Sequence, residues 1–216
     1  MSHCPGGQIL VSTPDGRCGR CVDPTRDYQM TEAFKLSPSL CYNIFLLVYL
    51  YGDLGSPISI PDEMVRAIVE LDDFDPILQF ADEQLAQRHA EVALSAARLA
   101  TFFASPQEHL DVLSHAFEVQ TASLNLLGRT GEAAIAALMG QVVNAAIHVD
   151  ENLPQLSENL LQAANLLGSP VIQANMPILS GLFELEAHAL QTNAQPLEAM
   201  RAATISHLLQ QRTVVL

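Results

Sequence analysis

From residue 76 onward, apolar residues return every three or four positions. Leu78, Ala81, Leu85, Val92, Ala96, Leu99 and Phe103 form one such series, with His89 on the same seam. Ile135, Leu138, Val142, Ala145 and Val149 form a second, and Leu153, Leu156, Leu160, Ala163 and Leu167 a third. Alternating steps of three and four put one apolar stripe on one face of an α-helix. Proline supplies the punctuation, because its missing N–H costs nothing in the first turn of a helix. Asp75-Pro76, Ser105-Pro106 and Ser169-Pro170 each join a good N-cap to such a proline, and Pro61, Pro154 and Pro196 are weaker versions. Gly128 and Gly168 each follow a Leu-Leu pair and read as glycines just past a helix end, with Thr130 as the next N-cap.

These signals predict helices over 61–71, 76–104, 106–127, 131–149, 154–167, 170–191 and 196–211. The helix over 170–191 is apolar on two faces, which marks it as enclosed, and Pro177 should kink it near Ala174–Met176. Short links between long helices favour antiparallel neighbours, and alanine on the seams lets helices approach closely. The expected fold is therefore all-α: a helical bundle or a short stack of antiparallel helical hairpins. Leu124–Gly128 recurs in part as Ala164–Gly168, forty residues later. That spacing suits hairpin repeats, although five residues are too few to choose a solenoid over a bundle.

The first quarter of the chain reads differently. Residues 1–55 hold all four cysteines and all four tyrosines, so the chain divides into a Cys-containing segment, 1–55, and a helical domain, 56–216. Gln8–Ser12, the turn residues Pro14-Asp15-Gly16 and a following strand suggest a β-hairpin that delivers Cys18 and Cys21. Two thiolates spaced Cys-x2-Cys can bind one tetrahedral zinc. Cys4 is a candidate third ligand, with His3 or Cys41 the fourth. A closed, structural zinc would help fold a segment too short to bury a core. The pattern is half a zinc ribbon, and Cys41, beside the apolar run Ile44–Tyr51, is equally explained by burial.

Charge sharpens this division. The chain has 10 basic and 24 acidic residues, a net charge of −14. Four basic and five acidic residues fall in 1–55, so nearly all the negative charge belongs to the helical part. An acidic surface disfavours contact with nucleic acid and anionic lipid, the near-neutral N-terminal segment excepted. The start of the chain shows no basic, then apolar, leader pattern, and the run around Tyr42–Tyr51 is about half the length of a membrane span. A soluble, intracellular protein is the expectation, and in that setting the cysteines are not a disulfide framework.

Chemistry-bearing residues in the helical part are few. Glu184 and His188 are four apart and share a helix face; His109 and His115 are six apart and do not. Asp72, Asp73, Asp75, Asp82 and Glu83 cluster around a helix start, where the helix dipole favours acids. Gly128-Arg129-Thr130-Gly131 lies between helices, which excludes a phosphate loop, and no nucleophile elbow or His-Glu-x-x-His is present. The function expected is a non-enzymatic protein-interaction module: an adaptor, chaperone-like binder or assembly subunit whose partner is another protein or a second copy. The alternative is a regulator with an N-terminal zinc site and a helical domain for dimerisation or ligand sensing.

Overall fold

The structure is a computed structural model that describes residues 71–213, together with Ile60, Met64, Ala67, Ile68 and two short strands. Strand β1 (Ile9–Ser12) pairs antiparallel with β2 (Gly19–Val22), Leu10 opposite Cys21. The chain divides into two units, Met1–Ile58 and Ser59–Leu216. In the second, Met64, Ala67, Ile68 and Leu71 are helical. Eight helices follow: α1 (Asp75–Ala86), α2 (Ala90–Phe103), α3 (Leu110–Leu126), α4 (Thr130–Ile147), α5 (Val149–Ala164), α6 (Pro170–Ala174), α7 (Met176–Thr192) and α8 (Pro196–Thr213). The described part of this unit is all-helical, as the periodicity predicts.

Helix packing follows chain order. Each helix from α1 to α4 packs on the next, α7 packs on α5, and α8 packs on α7; α1 also touches α3, and α7 touches α4. A main apolar core runs through these contacts, with Phe117, Leu156, Leu160, Leu179 and Leu182 fully enclosed, and a smaller cluster joins Leu94, Leu124, Ala133 and Ala136. α7 buries Ile178, Leu179, Leu182 and Phe183 from adjacent faces, which matches its reading as the enclosed helix. Pro177 does more than kink the chain there: Asn175, at φ −108°, separates α6 from α7. At Pro154 the predicted helix start is absorbed into α5, whose backbone leaves helical geometry two residues earlier, at Asn152.

The expected helix over 76–104 is two helices. Gln87-Arg88-His89 links α1 to α2, and Arg88 stands at φ 62°. The same three-residue link recurs at Leu127-Gly128-Arg129 and Asn193-Ala194-Gln195, with Gly128 at φ 72° and Ala194 at φ 58°. In all three the left-handed residue donates its N–H three residues back, to Leu85, Asn125 or Gln191, and the residue after it donates five back, to Gln84, Leu124 or Leu190. This pair of hydrogen bonds closes the end of the first helix. The carbonyl of that last link residue then accepts the opening hydrogen bond of the next helix, from the N–H of Ala93, Ala133 or Ala199. One residue thus ends one helix and starts another, which forces a sharp reversal. The structural recurrence at forty residues joins Arg88 to Gly128. Gly168, the partner that the sequence match suggested, has no left-handed backbone.

Of the expected N-caps, Ser169 acts as one, its hydroxyl accepting the N–H of Val171 at 3.2 Å. Asp75 and Thr130 are instead first helical residues behind Phe74 and Arg129. Ser105 does not open a helix at 106. It caps a turn over Pro106–Glu108, and α3 starts four residues later, behind His109.

Candidate functional site

The α2–α3 connection gathers a set of polar contacts. His109, before the first turn of α3, lies at the centre. Its Nδ1 faces the backbone N–H of Ser105 at 3.1 Å, and its Nε2 lies 3.0 Å from a carboxylate oxygen of Asp72. A backbone N–H can only donate, so Nδ1 accepts and Nε2 carries the proton that goes to Asp72. The ring also lies against Phe74, centroids 4.8 Å apart. Asp72 itself stands at φ 55°, ending the helical segment before α1. His109 thus fastens the approach to α1 onto the start of α3.

Glu108 completes a trio, with Asp72 and His109, close enough for one metal ion. The hydrogen bonds argue against that use. A metal needs the bare lone pair of Nε2, which would move the ring proton to Nδ1, against the Ser105 N–H. The ring is committed to a structural clamp, and no metal is assigned to it.

A second pair has the same form: His115 Nε2 meets Asp82 at 2.9 Å, bridging α3 to α1. Sequence spacing gave no hint of either pair, because the partners lie 37 and 33 residues apart. The expected face-sharing pair, Glu184 and His188, is exposed, and the carboxylate of Glu184 turns elsewhere. It accepts hydrogen bonds from Gln107, Ser206 and Gln210, tying the α2–α3 connection and α8 to α7. His89 does not sit on an apolar seam. The backbone reversal at Arg88 leaves it exposed, with Nδ1 3.0 Å from Gln84 Oε1. The acidic stretch supplies local bonds: Asp73 accepts the N–H of Asp75, and Glu83 accepts from Gln79.

Glu186, which the sequence reading passed over, is the buried acid among the described residues of the helical unit. It lies on α7 and is 6% exposed. Burial raises its pKa above the usual carboxylate value; a hydrogen bond from Ser157 on α5 and the charge of Arg201 on α8 oppose the rise without cancelling it.

The other feature is a surface. α8 buries Ala199, Ala202, Ser206 and Leu209, with Ser180 of α7 bonded to the hydroxyl of Ser206 at 3.0 Å. On the opposite side Leu197, Met200 and Leu208 are 76%, 67% and 54% exposed. With Thr204 between them, these residues step by three, four and four and so share one face. α8 is apolar on both sides, and its packing uses only one. α4 is the one described helix long and apolar enough to cross a membrane by length and composition. Here it buries Ala133, Ala136, Met139, Val142 and Val143 between its neighbours, the behaviour of a core helix.

The candidate zinc ligands His3, Cys4, Cys18 and Cys41 lie outside the described residues, as does the side chain of Cys21. No family model matches the chain, and neither a curated protein nor a solved structure resembles it at a significant level.

Proposed function

We propose that the helical unit is a protein-interaction module, an adaptor or assembly subunit that binds through helix faces. The observation that carries this reading is the outward stripe Leu197–Met200–Leu208. Exposed apolar residues aligned along one face of a helix that already has a buried face lower the free energy when a partner covers them. The described polar groups support it from the other side. The His–Asp pairs and Glu184 make bonds between helices, so their chemistry goes into holding the fold.

The test compares the full chain with a Met200→Glu/Leu208→Glu variant, each tagged and recovered from the source cells. Both positions are exposed, so the fold should be unchanged, which circular dichroism checks. The expected result is a stoichiometric protein companion, or a second copy of the chain, that the native protein retains and the variant loses. An identical set of companions for both proteins would overturn the reading.

A further inference from the structure

We infer that His109 is an acid-triggered latch: protonation of its ring releases the α2–α3 connection from the start of α3 while tightening the hold on Asp72. This is independent of the interaction reading of α8.

Ser105 and His109 hold each other by two bonds. The backbone N–H of His109 donates to the Ser105 carbonyl at 2.8 Å, and the Ser105 N–H donates to His109 Nδ1 at 3.1 Å. On its other side the ring donates from Nε2 to Asp72 at 3.0 Å. The ring serves both partners only in its neutral form, with the one proton on Nε2. A second proton has one place to go, Nδ1, and there it faces the Ser105 N–H, donor against donor. That bond is lost, while the bond to Asp72 becomes a charge-assisted ion pair. The ring, held by Asp72 and lying against Phe74, keeps its place, so Ser105 is the group that moves.

The charged groups on the surrounding elements are acids. Asp72, before α1, and Glu108, in the connection, both reach the ring. α7 presents Glu184 to the connection one step away, through Gln107. Asp75 lies in the first turn of α1 and Asp111 in that of α3, and α2 carries no base in its last turn. The positive end of the α3 dipole is the opposing charge.

The second histidine pair lacks this conflict. His115 reaches Asp82 through Nε2 at 2.9 Å, and a proton on its Nδ1 breaks none of the described bonds. Acid therefore keeps both ties from α3 toward α1 and removes the tie to the connection. The freed segment is the one whose Pro106 lies over Gly181 and whose Gln107 donates to Glu184, so its contact with α7 is what the latch controls.

Histidine ordinarily changes charge between about pH 5 and about pH 8, which sets the range of the experiment. NMR of the purified full chain follows the ring nitrogens of His109 and the hydrogen-exchange protection factor of the Ser105 amide, beside His109→Asn. The asparagine Oδ1 can replace Nδ1 as acceptor and does not titrate. At the upper pH the ring is expected to carry its proton on Nε2. As it gains the second proton, the Ser105 protection factor should fall at least about fivefold, the net worth of one hydrogen bond, and stay constant in the variant. A ring proton on Nδ1 at the upper pH, or a ring still neutral at the lower, overturns the inference. So does a Ser105 amide equally protected in both ring states, or the same loss in the variant. The wild-type titration decides the question alone if the variant does not fold.

Discussion

At Gly128 the backbone stands at φ 72°, and a Cβ built there meets nothing within 4 Å. Any cost of adding a side chain is therefore conformational and not steric. Arg88 occupies the same place in the first link at φ 62°, and it carries that cost already. Opposite signs follow for opposite substitutions. Gly128→Ala should lower stability by about 1 kcal/mol, while Arg88→Gly should be neutral to stabilising by under about 1 kcal/mol, since a left-handed L-residue is strained by that order. Urea unfolding of both variants reads this directly; a loss of similar size in both would show that the Arg88 side chain contributes packing the backbone argument omits. The reversal at Arg88 was hidden in the sequence for the same reason. Neither glycine nor proline marks it, and the apolar period runs on through His89 as if the helix continued.

Between elements, the same kind of small change has different outcomes according to what faces it. Gly181 on α7 lies under the α2–α3 connection, and a Cβ there would come within 2.9 Å of Pro106 Cγ. Pro106 is buried in a turn that His109 and Ser105 hold, so it has little room to retreat. Gly140 on α4 faces Phe117 Cβ at 3.5 Å, an ordinary contact distance. Gly181→Ala should destabilise by about 1–3 kcal/mol through overpacking. Gly140→Ala should stabilise by up to about 1 kcal/mol, through better helix propensity alone. Thermal unfolding that ranks the two the other way round would contradict the close approach of the connection to α7. This packing also explains why Ser105-Pro106 failed as a helix start. The sequence offered a good cap and a good first-turn proline, but α7 and Asp72 hold the next residues in a turn, and the helix begins only once His109 has made its bonds.

For the helical unit as a whole, Glu186 couples stability to pH. Its carboxyl is buried where α5, α7 and α8 contribute Ser157, Glu186 itself and Arg201, and burial holds its folded-state pKa above the unfolded value. The folded chain therefore keeps this proton to higher pH than the unfolded chain does. The stabilisation linked to it is complete below the unfolded pKa and is lost as pH rises through the folded one. Glu186→Gln removes that linkage. The stability of the variant relative to wild type should rise as pH increases from below the ordinary glutamate pKa to well above it, read by urea unfolding at each pH. A difference that shrinks over this range would mean that Ser157 and Arg201 outweigh burial.

The sequence by itself determined the helical class, most of the helices and the enclosed character of α7. These depend on the period of apolar residues and on proline, which act over one or two turns. It also located the negative charge, which adds over residues whatever the fold. Only the tertiary structure decided where three reversals fall, which polar groups pair across more than thirty residues, and which face of α8 is left uncovered. The physical reason is range. A helix face is apolar or polar by local order alone, whereas whether it is buried depends on a neighbour brought there by turns whose geometry the side chains do not announce. α8 is the clearest case: its extent is legible in the sequence, but packing against α7 decides that Ala202 and Leu209 are covered and that Met200 and Leu208 face outward.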